Sequence, residues 1–185
     1  LEAVGFEEKG ATSLELNASA TAGFAVKWDK DEDTGTVYAY KPSDKTWTLI
    51  NDGAKSGLEV EPVGVSKDGK TGYLKSERKD GPDVIEKYDF ATGQRSVLYA
   101  DPHSDPLTPV YSLDSREMLG AYYEATDPQM HLWNAEHPDA TLRLELQAAF
   151  PGQNVSVLSQ SRDHNLLVLG VSSDRDPGTW YLFDR

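Results

Sequence analysis

Cysteine is absent from these 185 residues, so neither a disulfide nor a thiolate-held metal is open to the chain. Positive charge is scarce: 18 Lys and Arg against 31 Asp and Glu leave a net charge of −13 and a pI near 4.6. Such a surface repels phosphate backbones and anionic headgroups, so neither nucleic acid nor membrane is an expected partner. Apolar runs are short, and none approaches the roughly 18 residues of a membrane span. No initiator Met and no charged-then-apolar leader stands at Leu1, which places any targeting segment outside this numbering. No Gly-x-Ser-x-Gly elbow occurs either, and no nucleophile, base and oxyanion set can be assembled from these residues. What is present, 38% hydrophobic and 10% aromatic side chains, is a globular composition.

Against these absences stands a phrase repeated four times: a serine turn, an apolar strand, an acidic loop, and a strand that ends in an aromatic residue. Ser66-Lys67-Asp68, Ser112-Leu113-Asp114 and Ser161-Arg162-Asp163 open three copies, and Ser19-Ala20-Thr21 is read as a worn first one. The spacings are 47, 46 and 49 residues, and Tyr40, Tyr88, Trp133 and Phe183 follow at 21 or 22 residues. A mid-forties period built only from short strands indicates β-propeller blades, since one four-stranded sheet cannot cover its own apolar faces and must stack on neighbours.

The second copy shows the strand grammar most fully. Leu58 to Val65, Thr71 to Ser76, Val84 to Asp89 and Ser96 to Tyr99 are short and bounded by Gly, Pro, Asp or Ser. The repeat units are expected at roughly 14–52, 56–101, 108–148 and 154–185. The segment Ala140 to Phe150 carries Leu142, Leu146 and Phe150 at helical spacing. The alternation Leu142, Leu144, Leu146 together with the repeat register predicts a fourth strand there instead. The expected fold class is therefore all-β: about four blades of four antiparallel strands, the last truncated after Phe183-Asp184-Arg185. Such an array reads as a fragment of a larger propeller, and its open blade edges could pair with a second copy in a homo-oligomer. The Ser-x-Asp motif reads as a turn, with short polar side chains bonding nearby amides, and the aromatics read as packing between blades.

Several motifs invite chemistry. Gly64-Val65-Ser66-Lys67-Asp68-Gly69-Lys70-Thr71 has Walker A spacing, but it runs into Gly72-Tyr73-Leu74, a predicted strand, where phosphate binding needs a helix N-terminus. Asp29, Asp31 and Asp33 alternate like the front of a calcium loop. Thr34 and Tyr40 stand where such a loop needs Gly and a bidentate Glu, so the segment reads as an acidic hairpin. His103, His131, His137 and His164 lack a tight ligand spacing, although Glu136-His137 and His131 could meet across a hairpin. Asn17-Ala18-Ser19 and Asn154-Val155-Ser156 match the glycosylation sequon. No catalytic, cofactor-binding or metal-binding residue is assigned.

Glu86-Lys87-Tyr88-Asp89-Phe90-Ala91-Thr92-Gly93, the stretch from Ser172 to Arg185, and Ala149-Phe150-Pro151-Gly152-Gln153 resemble the N-terminal propeller of the prolyl oligopeptidase family of serine peptidases. The similarity is greatest to the acylaminoacyl-peptidase and dipeptidyl-peptidase-like bacterial branch. It covers Ser56 to Arg185 by phrase and the first fifty-odd residues by period. The resemblance implies a propeller seated on a C-terminal α/β-hydrolase domain, admitting short peptide substrates to a Ser-Asp-His triad that lies outside this chain. It implies no cofactor, and a bacterial cytoplasmic or periplasmic location. Glu7-Glu8 is a dipeptide of the kind that holds a substrate amino terminus, though not within a matching helix motif. The competing class is a propeller that only binds, like that of the periplasmic Tol system; a carbohydrate-active propeller, which needs convergent carboxylates at a central cavity, is a third.

Overall fold

The computed structural model describes residues 13–185 apart from 32, 42, 44, 116 and 124–128; Glu7-Glu8 thus lies outside the described residues. Four antiparallel sheets follow one another along the chain. The first is β1 (Ser13–Leu16), β2 (Gly23–Asp29), β3 (Thr34–Lys41) and β4 (Thr46–Asp52), in that order. A single-turn helix, α1 (Gly53–Ser56), capped by the Asp52 side chain, leads to the second sheet: β5 (Val60–Val65), β6 (Thr71–Ser76), β7 (Val84–Asp89) and β8 (Arg95–Ala100). The third holds β9 (Pro106–Tyr111), β10 (Met118–Tyr123) and β11 (Gln129–Leu132). After helix α2 (Pro138–Ala149), β12 (Asn154–Gln160), β13 (Leu166–Ser172) and β14 (Thr179–Asp184) complete the fourth. These meandering sheets are β-propeller blades, as the repeat predicts.

The repeat has a common corner. Ser66 N–H donates to the Thr71 carbonyl at 2.8 Å, Gly69 N–H to the Ser66 carbonyl at 2.9 Å, and Thr71 N–H to Ser66 Oγ at 3.0 Å. Ser161 repeats all three with Leu166, His164 and Leu166, at 2.9, 3.0 and 3.0 Å. Each serine hydroxyl also donates to the carboxylate two residues on: Ser66 to Asp68, Ser112 to Asp114, Ser161 to Asp163. In every copy the residue three past the corner has a left-handed backbone: Ala20 (φ 53°), Gly69 (70°), Ser115 (56°) and His164 (60°). Only one of these is glycine, the residue that adopts this region without steric cost.

In the first copy the corner residue is Asn17, which corrects the alignment on Ser19. Asn17 N–H bonds the Ala22 carbonyl, Ala20 N–H bonds the Asn17 carbonyl, and Ala22 N–H bonds Asn17 Oδ1 at 3.1 Å. Ser19 occupies the place of Asp68 and accepts from Asn17 Nδ2 at 3.0 Å. An asparagine oxygen satisfies the same amide as a serine hydroxyl, so the geometry persists while the letter changes. Buried and bonded at both ends of its amide, Asn17 is also no accessible sequon.

The described chain divides into two compact units. One contains the first three sheets; the other contains the Ser112–Ser115 turn, α2 and the fourth sheet. Within the first, facing sheets share their cores. Phe24 and Val37 of the first sheet pack with Leu74, Tyr88 and Phe90 of the second, and the Phe24 ring lies 5.7 Å from Tyr88 and 5.0 Å from Phe90. Gly72 makes this possible, since a Cβ there would stand 2.2 Å from the Phe24 ring. The opposite face of the second sheet, with Tyr73 and Ile85, meets Met118, Ala121 and Tyr123 of the third, and Trp133 lies 6.1 Å from Tyr73. Tyr88 and Trp133 thus pack between sheets as expected, whereas Tyr40 packs on Trp47 of its own sheet and Phe183 packs in the cluster that includes Leu142 and Leu146.

Leu142 to Leu146 is not a strand. It lies within α2, where Pro138 takes the first turn, the His137 side chain caps the Asp139 amide at 3.1 Å and Asp139 complements the helix N-terminus. Ala140, Leu142 and Leu146 share the buried face, and Leu142 and Leu146 pack on Leu167, Leu169 and Val171, whereas Leu144 is exposed. The helical period therefore overrides the short alternation. Two further bonds tie this unit: Asp139 accepts the Leu113 amide at 2.9 Å and pairs with Arg185 at 3.1 Å.

The corner geometry makes a stability prediction. His164→Gly removes a left-handed penalty of about 1 kcal/mol, offset in part by glycine's freer unfolded chain, and is expected to raise the urea midpoint. Gly69→Ala is expected to cost about 1–2 kcal/mol or more, because its Cβ would also stand 2.8 Å from Asn17 Nδ2. A His164→Gly variant that loses stability, or a Gly69→Ala variant that loses none, would refute the shared turn.

Candidate functional site: an acidic cavity along the first strands

The opening strands of neighbouring repeats lie close together. β1 and β5, with Trp28 of β2, enclose a cavity of about 440 Å³. A second cavity of about 180 Å³ reaches from β5 to β9 and is lined by Lys75, Pro106, Thr108 and Tyr111 among others. Glu15, Glu61 and Pro62 line both. Alternation along a strand turns Glu59 and Glu61 to one side of β5, and Glu15 of β1 joins them from the preceding repeat.

The carboxylates differ in their surroundings. Glu59 is anchored: its Oε2 accepts the Gly35 amide at 3.1 Å, and a Cβ on Gly53 would stand 2.4 Å from its Oε1. Burial raises the Glu15 carboxyl above its ordinary value of 4.5. The Tyr111 hydroxyl donates to the Val63 carbonyl. Burial, reinforced by the negative charges of Glu15 and Glu61, pushes its pKa up to about 12, so it remains a neutral donor. Lys75 is held by Asp83 at 3.5 Å. The cavities thus join apolar walls to a carboxylate pair, an arrangement that favours a cationic head on an apolar body.

The other candidate residues fall elsewhere. Gly64 and Val65 end β5, Ser66 to Lys70 form the corner, and Thr71 begins β6, so the Walker-like spacing lies in a strand-turn-strand unit. Asp29 Oδ1 accepts the Asp31 amide at 2.9 Å, and among the described residues no group of three metal-capable side chains gathers, Glu32 lying outside them. His131 stacks on Tyr99 at 3.5 Å, and burial lowers its pKa. His137 caps α2, and His164 occupies a corner. His131 and His137 belong to different compact units. The sequence reading missed Glu15, Glu61 and Tyr111, which lie on separate repeats. Their shared position on the strand just before each corner is the signal that groups them.

No family model matches the chain. Dipeptidyl aminopeptidase BIII of Pseudoxanthomonas mexicana is 25% identical over 190 residues, an alignment that takes in 94% of this chain and 26% of that protein. The chain thus spans about a quarter of the curated relative's length. Among solved structures, TolB from Acinetobacter baumannii aligns over 98% of this chain and 45% of its own, with 14% identity and a TM-score of 0.49. A structure from a study of two prolyl endopeptidases aligns over 95% of this chain and 28% of its own, with 17% identity and a TM-score of 0.49.

The raised Glu15 carboxyl sets a pH test. Its folded pKa lies above the unfolded one, so its stabilising contribution is complete below about pH 4.5 and is lost as pH rises through the folded value. Glu15→Gln is therefore expected to raise the thermal midpoint at pH 7 and to leave it unchanged at about pH 3; an equal gain at both would remove partial desolvation of the charge as its cause. In blade phrases and in curated relative, the chain resembles the N-terminal propeller of the prolyl oligopeptidase family.

Proposed function

We propose that this chain is the non-catalytic propeller part of a serine peptidase, whose blades admit short peptides to an α/β-hydrolase active site carried outside these residues. The observation that carries this reading is the 25% identity to a dipeptidyl aminopeptidase, sustained along 94% of the chain. A covering propeller acts by size: an extended peptide passes where a folded domain does not, and the reaction is shielded from bulk water. The acidic cavity at Glu15 and Glu61 suits such passage, because a free peptide amino group is attracted to it and an anionic polymer is not. The C-terminal hydrolase domain is then the partner, and short peptides are the substrate class.

Two measurements test this. The purified chain is expected to leave dipeptidyl and aminoacyl chromogenic substrates intact and to take no label from a fluorophosphonate probe; covalent labelling would contradict the proposal. The gene that encodes the chain is expected to continue into an α/β-hydrolase domain with a Gly-x-Ser-x-Gly elbow. Further blades followed by a stop codon would instead support a binding propeller.

A further inference from the structure

Of the described strands only β5 and β9 contain proline, at Pro62, Pro106 and Pro109. Each is the first strand of its sheet and pairs on one side alone, β5 with β6 and β9 with β10. All three prolines line the cavity of about 180 Å³ that reaches from β5 to β9.

The hydrogen-bond pattern fixes which way the Pro62 nitrogen points. The Glu59 carbonyl accepts the Glu77 amide at 2.9 Å, so Glu59 turns its backbone to β6. Antiparallel alternation then turns Glu61 toward β6 and Pro62, opposite Leu74, away from it. Val63 drops out of the register with β6, and its carbonyl accepts the Tyr111 hydroxyl instead. In β9, Pro109 stands opposite Ala121 and Pro106 opposite Tyr123. These two prolines are an odd number of residues apart, and the register shift between Tyr122 and Tyr123 restores the phase, so both nitrogens lie on the open side.

A free edge ordinarily offers a row of donors and acceptors to any extended chain. The edge of β5 lacks the Pro62 donor and has its Val63 carbonyl occupied, and the edge of β9 lacks the donors of Pro106 and Pro109. Leu107, 52% exposed, stands beside Pro106, and proline next to an exposed apolar residue is a common guard against pairing with another chain.

We infer that Pro62, Pro106 and Pro109 close the first strands of the second and third sheets to strand addition, so that a peptide in the cavity is held through its side chains and amino group and not through backbone pairing. That a peptide enters rests on the peptidase reading; the closure does not. It holds equally against any other segment, of this protein or another, because what is missing is the donor rather than the space. A chain held this way has no ladder to break and moves on past the cavity.

Calorimetry with two probes tests the closure: an extended pentapeptide amide with a free amino terminus, and the same peptide with alternate amides N-methylated. Circular dichroism confirms that each protein variant keeps its strands. The wild type is expected to make no distinction between the probes. Pro62→Val combined with Pro109→Val should gain roughly tenfold in affinity for the unmethylated probe from two restored hydrogen bonds, and nothing for the methylated one. Hydrogen exchange should find the new amides at positions 62 and 109 as open as surface amides without peptide and protected with it. If the double variant loses its strands, Pro109→Val alone is measured in the same way. Three results overturn the inference: a wild type that prefers the unmethylated probe tenfold, a folded variant that acquires no such preference, or new amides already protected without peptide. A wild type that binds neither probe counts against the passage of peptides alone, and the variant still decides the closure.

Discussion

In the first, second and fourth repeats one side-chain oxygen, bonded to the amide five residues further along the chain, fixes where the sheet turns. The residues between must reverse direction in four steps, and the third residue past the corner is forced into left-handed backbone. Once the corner is set, the register of the two flanking strands follows, and with it which side chains face each neighbouring sheet. The same device at Asn17, Ser66 and Ser161 therefore yields sheets whose apolar faces match one another.

Stacking turns that repetition into stability. A two-faced antiparallel sheet leaves half its apolar surface wet unless another sheet covers it. Phe24 reaches across to Tyr88 and Phe90 because Gly72 has no side chain, and Tyr73 finds Trp133 on the other side. The opening strands then come together by construction, and carboxylates from different repeats meet around one cavity. In α2 the chain departs from the pattern, and a helix covers one face of the fourth sheet.

The legible part of this fold was the part carried by period. Ser66, Ser112 and Ser161 announced three corners, and the aromatics at 21 or 22 residues announced the third strand of each repeat. Asn17 escaped because its amide oxygen performs the serine's task under a different letter, two residues before the serine that seemed to match. The helix escaped because Leu142, Leu144 and Leu146 satisfy a strand alternation as well as a helical face. The decisive local signal, Pro138 after a capping His137 with Asp139 beyond, lay upstream of the leucines. The cavity was out of reach for another reason: Glu15 and Glu61 are 46 residues apart in sequence and become neighbours only when two blades stack.

The account therefore depends on four turns sharing one geometry, and nuclear magnetic resonance reads that geometry directly. Three-bond amide-to-α-proton couplings, with intraresidue Overhauser contacts, distinguish positive from negative φ at every assigned residue. The account predicts the positive-φ signature at Ala20, Gly69, Ser115 and His164 together, in one folded chain. Ordinary negative φ at Ala20, Ser115 and His164 would contradict it.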